Sequence, residues 1–470
     1  MFSTGQYFQL IIALFLGVVL FLVSYLSKPK PAIFFLLLML PFQIINSRFG
    51  TLNLVLVYLV GVAWLLRGQL RSFPLLGSVL AIFFVYLISM SQALKATYFD
   101  HILYIVTVGG SYLFFYLSYN YFREYRDFKQ GILMFLWLNI LVLAYCTIQL
   151  VAGDQAVAFL GVQEFKLQGN LIEKQRLIGP FGSAGTNGEF FALNILISGF
   201  LLMNYREFGR LWMIVPVALG NLAFLIATGS RGSFLALVIG ILMFMFMFRR
   251  QLGVAGSIRL MVVGTVGMVA MGVAVVKYTD FNVLFERLGE TTFEGGVPDT
   301  RQKAFELALE KIPDNLVIGH GPRLRLIDEW KRVIKDYETI PYPHNLILFL
   351  LYTVGGLGLI VYAIFFFRLG FTWWRRKRRL RRKSTMQEGL PTLAFLLLAV
   401  FLIDQLKIEF LRFQLADMQQ YMFALWGMLL ALTEPQKQTA PTEAAAPQRR
   451  YPLVGANLKG GAVARGQVQQ

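Results

Sequence analysis

Long uninterrupted apolar segments are the feature of this sequence that most restricts its fold. A helix needs roughly 20 apolar residues to cross the hydrocarbon layer of a membrane, and about thirteen segments approach or reach that length. We therefore predict an all-α fold, a polytopic transmembrane helical bundle of 12 or 13 spans. The predicted spans are Tyr7–Leu26, Pro31–Ile45, Leu52–Leu66, Phe73–Leu94, His101–Leu117, Phe128–Val151, Asn187–Met203, Leu211–Ala227, Gly232–Phe248, Ile258–Val276, Asn345–Phe367, Leu390–Leu406 and Asp417–Leu432.

The composition excludes several other classes of protein. Hydrophobic residues make up 57% of the chain and charged residues 15%, which is more apolar surface than a soluble core can bury. Cys146 is the only cysteine, so neither an intramolecular disulfide nor a cysteine-based metal site is predicted. The net charge is +18, but eight of the positive residues form one run, Arg375–Lys383, which favours anionic membrane lipids rather than nucleic acid as the partner.

The basic residues of the short loops predict the orientation, because cytoplasmic loops retain Lys and Arg. They fall mainly on alternate loops, so the long polar loop at 277–343 is predicted on the outer side. With thirteen spans the N-terminus lies outside. With an even number of spans the N-terminus lies inside, and the orientation of the later half of the chain stays the same. The basic residues on the predicted inner side are Lys28, Lys30, Arg67, Arg71, Arg123, Arg126, Lys129, Arg206, Arg210, Arg249, Arg250, Arg259 and the segment Arg368–Lys383.

This pattern divides the chain into four predicted regions. Residues 1–276 form the N-terminal transmembrane helices, with an interfacial outer segment at 152–185. Residues 277–343 form an extracytoplasmic helical loop, which holds 12 of the 26 acids and has helices beginning near Asp299 and carrying Leu326–Tyr337. Residues 344–434 form the C-terminal transmembrane helices, with a cytoplasmic polybasic loop at 368–383. Residues 435–470 are predicted to be a disordered cytoplasmic tail.

Three arginines on the predicted outer side are candidate anion ligands: Arg176, Arg231 and Arg301. A guanidinium at a hydrocarbon boundary is costly unless it meets an anion or extends into water. Its fork matches phosphate oxygens two at a time, so several converging arginines suit a pyrophosphate. Taken alone, each one fits a residue that extends into water or packs in a loop better than an anion ligand, and only the set favours a pyrophosphate.

Histidine is scarce, and two of the three histidines are candidates. His344 precedes an apolar span and is placed at the outer membrane surface, where an imidazole can accept a hydroxyl proton. The alternative is a helix-start residue bonded to the loop. His320 lies in a glycine-rich turn, and packing is the main alternative to substrate contact. His101, at the start of a span, is interpreted as interfacial packing.

Glu189 is an acid close to the outer start of a span, beside Asn187. Acids within spans are functional candidates by default, and a partner for the helix dipole is the alternative. Asp404, Lys407, Glu409 and Arg412 are predicted to form a salt-linked outer loop. The sequence shows neither a metal-ligand cluster nor a nucleotide-binding P-loop motif, so we expect no metal and no cofactor.

Several segments together resemble the O-antigen ligase and polymerase superfamily of membrane glycosyltransferases. The resemblance covers roughly Arg176 to Phe367, and it is carried by the order of its segments rather than by any one of them. Thr353 departs from the family pattern, in which an acid often stands two residues before the glycine. The matching segments are Arg176–Gly182, Gly229–Ala236, Arg301, Pro313–Pro322, His344–Leu348 and Gly355–Gly358.

The resemblance implies a function at the outer face of a bacterial inner membrane. It implies an undecaprenyl-pyrophosphate-linked glycan as donor and a glycan or lipid A core as acceptor, with polysaccharide export and chain-length machinery as further partners. By resemblance, Arg176, Arg231 and Arg301 hold the pyrophosphate, and His344 activates the acceptor hydroxyl or orients the group that does. Glu189, Asn187, Asn345 and His320 are the remaining candidates for substrate binding.

Two alternatives stay open at this point. Within the enzymatic interpretation, an O-antigen or exopolysaccharide polymerase is slightly favoured over a ligase. A transporter or flippase of lipid-linked saccharide or of a small solute is the alternative from another class. It predicts inverted repeats and broken helices with polar residues near the middle of the membrane, whereas the polar residues here gather on one side.

Overall fold

The computed structural model describes the greater part of the chain. The described residues are 4–26, 30–41, 46–47, 50–68, 73–93, 98–125, 127–153, 176–278, 284, 299–323, 343–379, 385–407, 411 and 416–435. The chain divides into one compact unit, Met1–Glu434, and a second, Pro435–Gln470. The predicted tail, the second loop helix and most of the predicted interfacial segment lie outside the described residues.

The described residues form fourteen α-helices and one two-residue antiparallel strand pair, Asn46–Ser47 with Gly50–Thr51. The prediction of an all-α helical bundle is therefore confirmed. The helices are α1 (Thr4–Leu26), α2 (Lys30–Met39), α3 (Leu52–Leu66), α4 (Leu76–Ser89), α5 (Tyr98–Tyr125), α6 (Phe128–Ala152), α7 (Ala184–Met203), α8 (Tyr205–Phe208), α9 (Leu211–Ala227), α10 (Arg231–Tyr278), α11 (Asp299–Lys311), α12 (Leu346–Arg379), α13 (Thr385–Asp404) and α14 (Ala416–Leu432).

Within the described residues, six helices are long and apolar enough to cross a membrane. They lie in α5, α6, α7, α10, α12 and α13, and five shorter apolar helices accompany them. Each predicted span overlaps a helix, but Gly232–Phe248 and Ile258–Val276 both fall in α10, which is broken at Gly253 with a φ of 65°. Helix α2 has only 10 residues, whereas 15 were predicted for its span. At 1.5 Å per residue α2 is about 15 Å long, half of a hydrocarbon layer.

Broad apolar contact holds the bundle together. Helix α14 packs along α5, α9 packs on α7, and α10 packs against α7 and α13. The few polar side chains inside the bundle bond to one another: Asn53 Nδ2 donates to Gln420 Oε1 at 2.6 Å, and Tyr421 OH donates to Asn194 Oδ1 at 3.2 Å. Such pairs satisfy groups that lipid would leave unpaired.

Helix α12 is broken at Gly355, which has a φ of 67°. The break frees backbone N–H and C=O groups on both sides, and four of these groups bond to the segment 316–321. Gly356 N donates to Leu316 O at 2.7 Å and Leu357 N to Val317 O at 3.1 Å. In return, His320 N donates to Tyr352 O at 2.8 Å and Gly321 N to Thr353 O at 3.1 Å.

The contact of the segment 316–321 with α12 places part of the predicted outer loop differently from the prediction. Gly355 lies about 14 Å along α12 from its first residue, so part of the loop packs beside α12 instead of lying only above the bundle. Broken helices also occur in transporters, and this break therefore removes one of the expected distinctions from that class. Here, however, the freed backbone groups bond to the protein's own chain.

Gly319 tests the docking directly. Its φ is +70°, and a Cβ there would overlap the backbone of Thr353 and Gly355. We expect Gly319→Ala to destabilise the fold by about 2–4 kcal/mol, since both the backbone conformation and the close approach exclude a side chain. Thermal unfolding of the purified protein in detergent measures this.

Gly77→Ala is the matched control for that substitution. Gly77 lies in α4, and nothing is within 4 Å of a Cβ built on it. We expect the melting temperature of the Gly77→Ala variant to stay close to that of the unsubstituted protein. Equal melting temperatures for Gly319→Ala and the control would mean that the 316–321 segment does not contribute to stability as described.

Candidate functional site

The candidate site lies where the start of α7, the start of α10, the start of α12 and the end of α13 come together. An extended segment at 176–179 precedes α7 and pairs with the end of α9. Leu177 N donates to Ala227 O at 3.0 Å, and Arg176 Nε donates to Thr228 O at 2.9 Å. Arg176 is thus held beside the turn that leads into Arg231.

Asn187 organises the turn between this segment and α7. Its Nδ2 donates to Ile178 O at 2.5 Å and to Ser183 O at 2.9 Å, and its side chain is fully buried. Ser183 caps α7 by accepting from Thr186 N at 3.1 Å. The amide of Asn187 therefore bonds to the backbone of the turn, and its predicted contact with substrate stays a prediction.

Two buried acids lie within the site. Glu189 is 3% exposed and Asp404 is 2% exposed. Gln405 Nε2 donates to Glu189 Oε1 at 2.7 Å, and Lys407 Nζ lies 3.1 Å from Asp404 Oδ1. The ammonium meets the ion-pair distance to Asp404, but neither carboxylate oxygen has a hydrogen bond among the described residues. Burial of charge at this density is costly and marks functional sites more often than structural ones.

Lys407 connects this acidic pair to the start of α10. Its Nζ donates to Ser233 Oγ at 2.6 Å and to Ser230 Oγ at 3.1 Å, on either side of Arg231. The expected pairing of Asp404 with Lys407 is present, but the two residues lie between helices and not in a solvated loop. Glu409 and Arg412 lie outside the described residues.

His344 and Asn345 approach the same region from α12. Asn345 caps this helix, with Oδ1 accepting from Ile347 N at 2.9 Å and from Leu348 N at 3.2 Å. Its Nδ2 donates to Leu406 O at 3.3 Å, and Leu346 N donates to Gln405 O at 3.0 Å. His344 itself has a φ of 50°, which is uncommon outside glycine and is found more often at functional positions.

Residues 405–407 therefore bond to Glu189, to Asn345 and to the two serines that flank Arg231, while Arg176 bonds to Thr228 in the same turn. His320 belongs to a different place, at the break in α12, where its ring stacks on Tyr352 with centroids 4.5 Å apart and Nδ1 lies 3.1 Å from Tyr352 O. The structure describes the backbone of Arg301, in the first turn of α11, but its side chain lies outside the described part.

The opposite end of the bundle is basic. Arg123 Nε lies 3.2 Å from Glu434 Oε2, and Arg376 Nη1 donates to Thr433 Oγ1 at 3.0 Å. Arg368 donates to Ser78 Oγ at 2.7 Å and lies about 33 Å further along α12 than Leu346. The candidate site is consequently at the end of the bundle away from these arginines.

An apolar groove runs along the outside of α12 and α13. Its volume is about 720 Å³, and it extends from Leu346, Ile347 and Leu402 near the site to Phe371 and Trp374 near the basic end. Because its walls are almost entirely hydrocarbon and aromatic, an extended hydrocarbon chain fits it chemically.

No group of three or more His, Cys, Asp or Glu side chains that could hold a metal ion occurs among the described residues. The site has hydroxyl groups, an imidazole at its edge and arginines beside it. Such a set can bind phosphate oxygens and move one proton.

Fold and site together define an integral membrane protein of the polytopic helical class, with a polar site at one end of the bundle. Residues 214–363 match the family model described as O-antigen ligase. This match supports the resemblance to the O-antigen ligase and polymerase superfamily. No curated protein matches the chain.

The matched region contains only part of the site. Of the site residues, Arg231, His344 and Asn345 lie within it, and so do the predicted candidates Arg301 and His320. The sequence analysis did not select Lys407 or Gln405 as site residues. In the sequence they appear only as an amide and a lysine at the end of a predicted span. The same residues would be found in a solvated loop, so the sequence does not distinguish the two cases.

Proposed function

We propose that this protein transfers or polymerises undecaprenyl-pyrophosphate-linked saccharides at the outer face of the bacterial inner membrane. The observation that carries the proposal is the hydrogen-bonded connection, through residues 406 and 407, between the serines that flank Arg231 and Asn345, which follows His344. It joins the turn that carries a candidate anion ligand to the turn that carries a candidate base, and transfer from a pyrophosphate-activated donor requires both groups at one place.

The outer placement rests on charge. Membrane proteins retain Lys and Arg on the cytoplasmic side, and the basic end of the bundle, with Arg123, Arg368 and Arg376, is the end away from the site. The apolar groove along α12 and α13 supports a donor with a long hydrocarbon chain, because the groove begins beside the site and follows the direction of the spans.

The proposed reaction is a displacement at the anomeric carbon of the donor sugar. The acceptor hydroxyl oxygen forms the new glycosidic bond while the bond from the anomeric carbon to the pyrophosphate oxygen breaks. The hydroxyl proton passes to the imidazole of His344. The departing lipid pyrophosphate gains negative charge, which Arg231 stabilises together with Arg176 and Arg301. Attack opposite the leaving group inverts the configuration.

Metal independence is part of this proposal, since the activated bond is already present in the donor. We expect purified protein in liposomes to elongate or transfer a polyprenyl-pyrophosphate oligosaccharide in excess chelator. Incorporation of a fluorescent acceptor measures the reaction, and empty liposomes are the control. Activity that is lost in chelator and restored by a divalent cation would contradict metal independence alone, whereas no transfer under any of these conditions would contradict the proposed function.

The glycan of a deletion strain separates the two reactions. Single-repeat chains on the acceptor would identify a polymerase, and full-length glycan retained on the carrier lipid would identify a ligase. If the glycan is never exposed at the outer face, transport of the lipid-linked saccharide is the better interpretation.

A further inference from the structure

Lys407 occupies a junction that the proposed reaction does not yet use. It lies just after α13 and faces the start of α10, which in turn contacts α7 through Ser233 Oγ and Gly185 O at 3.2 Å. Its side chain is 21% exposed, while its partner Asp404 is buried. A lysine in this setting either binds substrate or holds protein groups in place.

The contacts of the ammonium decide between these roles. A lysine has three N–H donors, and Lys407 Nζ faces three protein oxygens: Ser233 Oγ at 2.6 Å, Ser230 Oγ at 3.1 Å and Asp404 Oδ1 at 3.1 Å. Two of these contacts are hydrogen bonds and the third is an ion pair, so protein groups surround the ammonium on three sides. The arrangement is therefore that of a group bound to its own protein.

Two glycines make this arrangement possible. A Cβ at Gly232 would overlap the Lys407 side chain, and a Cβ at Gly188 would lie 2.8 Å from Ser233 Oγ and 2.9 Å from Ser230 Cβ. The glycine after Arg231 therefore leaves room for the lysine to lie across the first turn of α10.

We propose that Lys407 is a positioning residue for Arg231 and that residues 405–407 set the distance between Arg231 and His344. Ser230 and Ser233 lie on either side of Arg231 at the start of α10, so holding them fixes the backbone turn that carries Arg231. The adjacent Leu406 O and Gln405 O bind Asn345 and Leu346, next to His344. The inference rests on the proposed function.

The first test compares Lys407→Met with the exposed Lys129→Met in purified, reconstituted protein. We expect Lys407→Met to lower kcat about 10- to 100-fold, because a small displacement of a catalytic group has effects of this size. The donor KM is expected to change by less than about threefold, since the contacts of the ammonium are to groups of its own protein. A large rise in KM with unchanged kcat would show direct binding and overturn the proposal.

Lys407→Met leaves Asp404 buried without its cation and can therefore prevent folding. The double variant Asp404→Asn with Lys407→Met removes both charges and keeps the test valid. We expect it to recover the thermal stability of the unsubstituted protein but not its kcat. Recovery of both would reduce Lys407 to a charge partner of Asp404 and overturn the proposal.

A test in a second variant, Arg231→Lys, shows whether Lys407 acts through Arg231 or independently of it. In Arg231→Lys protein, Lys407→Met is expected to lower kcat by a much smaller factor than in the unsubstituted protein, because the two changes disturb one interaction. Equal fold losses in both backgrounds would contradict this.

Amide hydrogen exchange gives a readout that does not depend on transfer. Lys407→Met is expected to accelerate exchange at residues 229–234, and Lys129→Met is not. Unchanged exchange would overturn the positioning role even in an active enzyme. If exchange is accelerated but the unsubstituted protein transfers no saccharide, the contact of Lys407 with the start of α10 is supported and the proposed function is contradicted.

Discussion

His344→Ala is expected to lower the rate of glycosyl transfer about 10²- to 10⁴-fold, the contribution usually made by a positioned general base. The reason is that the imidazole is the group proposed to accept the acceptor proton. It stands at the start of α12 with a φ of 50°, beside the cap that Asn345 forms with Leu406. Initial rates with purified protein and a lipid-linked oligosaccharide donor measure the loss.

His344→Gln controls for the shape of this turn. Glutamine can retain a hydrogen bond but cannot take up the proton at neutral pH, so we expect its rate to fall as far as that of alanine. Thermal unfolding and membrane abundance should match those of the unsubstituted protein for both variants. A rate within about threefold of the unsubstituted protein for His344→Ala would remove His344 from the chemistry.

Arg231→Ala is expected to reduce kcat about 10²- to 10³-fold, the effect of removing one preorganised donor from a developing negative charge. Arg231 begins α10 between two serines that Lys407 holds. Arg231→Lys should recover only part of the rate, since an ammonium cannot reproduce bidentate contact with phosphate oxygens. The assay is the same as for His344, with polymer length in cells as an independent readout.

Arg206→Ala is the matched control for Arg231. Arg206 lies in α8, where its Nε donates to the hydroxyl of Tyr205 at 3.2 Å, and it has no described contact with the site. We expect its rate to equal that of the unsubstituted protein. Polymer of normal amount and length from both His344→Ala and Arg231→Ala cells would contradict the enzymatic interpretation as a whole and favour transport.

The positions of the helices could be predicted because burial in lipid constrains each segment independently. Leu52–Leu66 and Leu211–Ala227 begin and end at the predicted residues, since polar or charged residues bound each apolar run. The helix at Asp299 was likewise predictable from its capping residue and its apolar spacing. Local sequence contains all the information that such elements need.

The break in α12 could not be predicted in the same way. Gly355 is one of several glycines in an apolar run, and its φ depends on a backbone segment from 316–321 bonding to the freed groups. For the same reason His320, a candidate for substrate contact, stacks on Tyr352 in the structure. Contacts between distant segments decide both cases.

The sequence by itself determined an all-α membrane bundle and the places of its helices, and it predicted a set of arginines and a histidine as a site for a lipid pyrophosphate. Only the tertiary structure decided that residues 405–407 join the first turn of α10 to Asn345 and Leu346, with Lys407 paired to the buried Asp404. The physical reason is that hydrophobicity acts on each segment separately, whereas a buried ion pair between helices exists only once their ends meet.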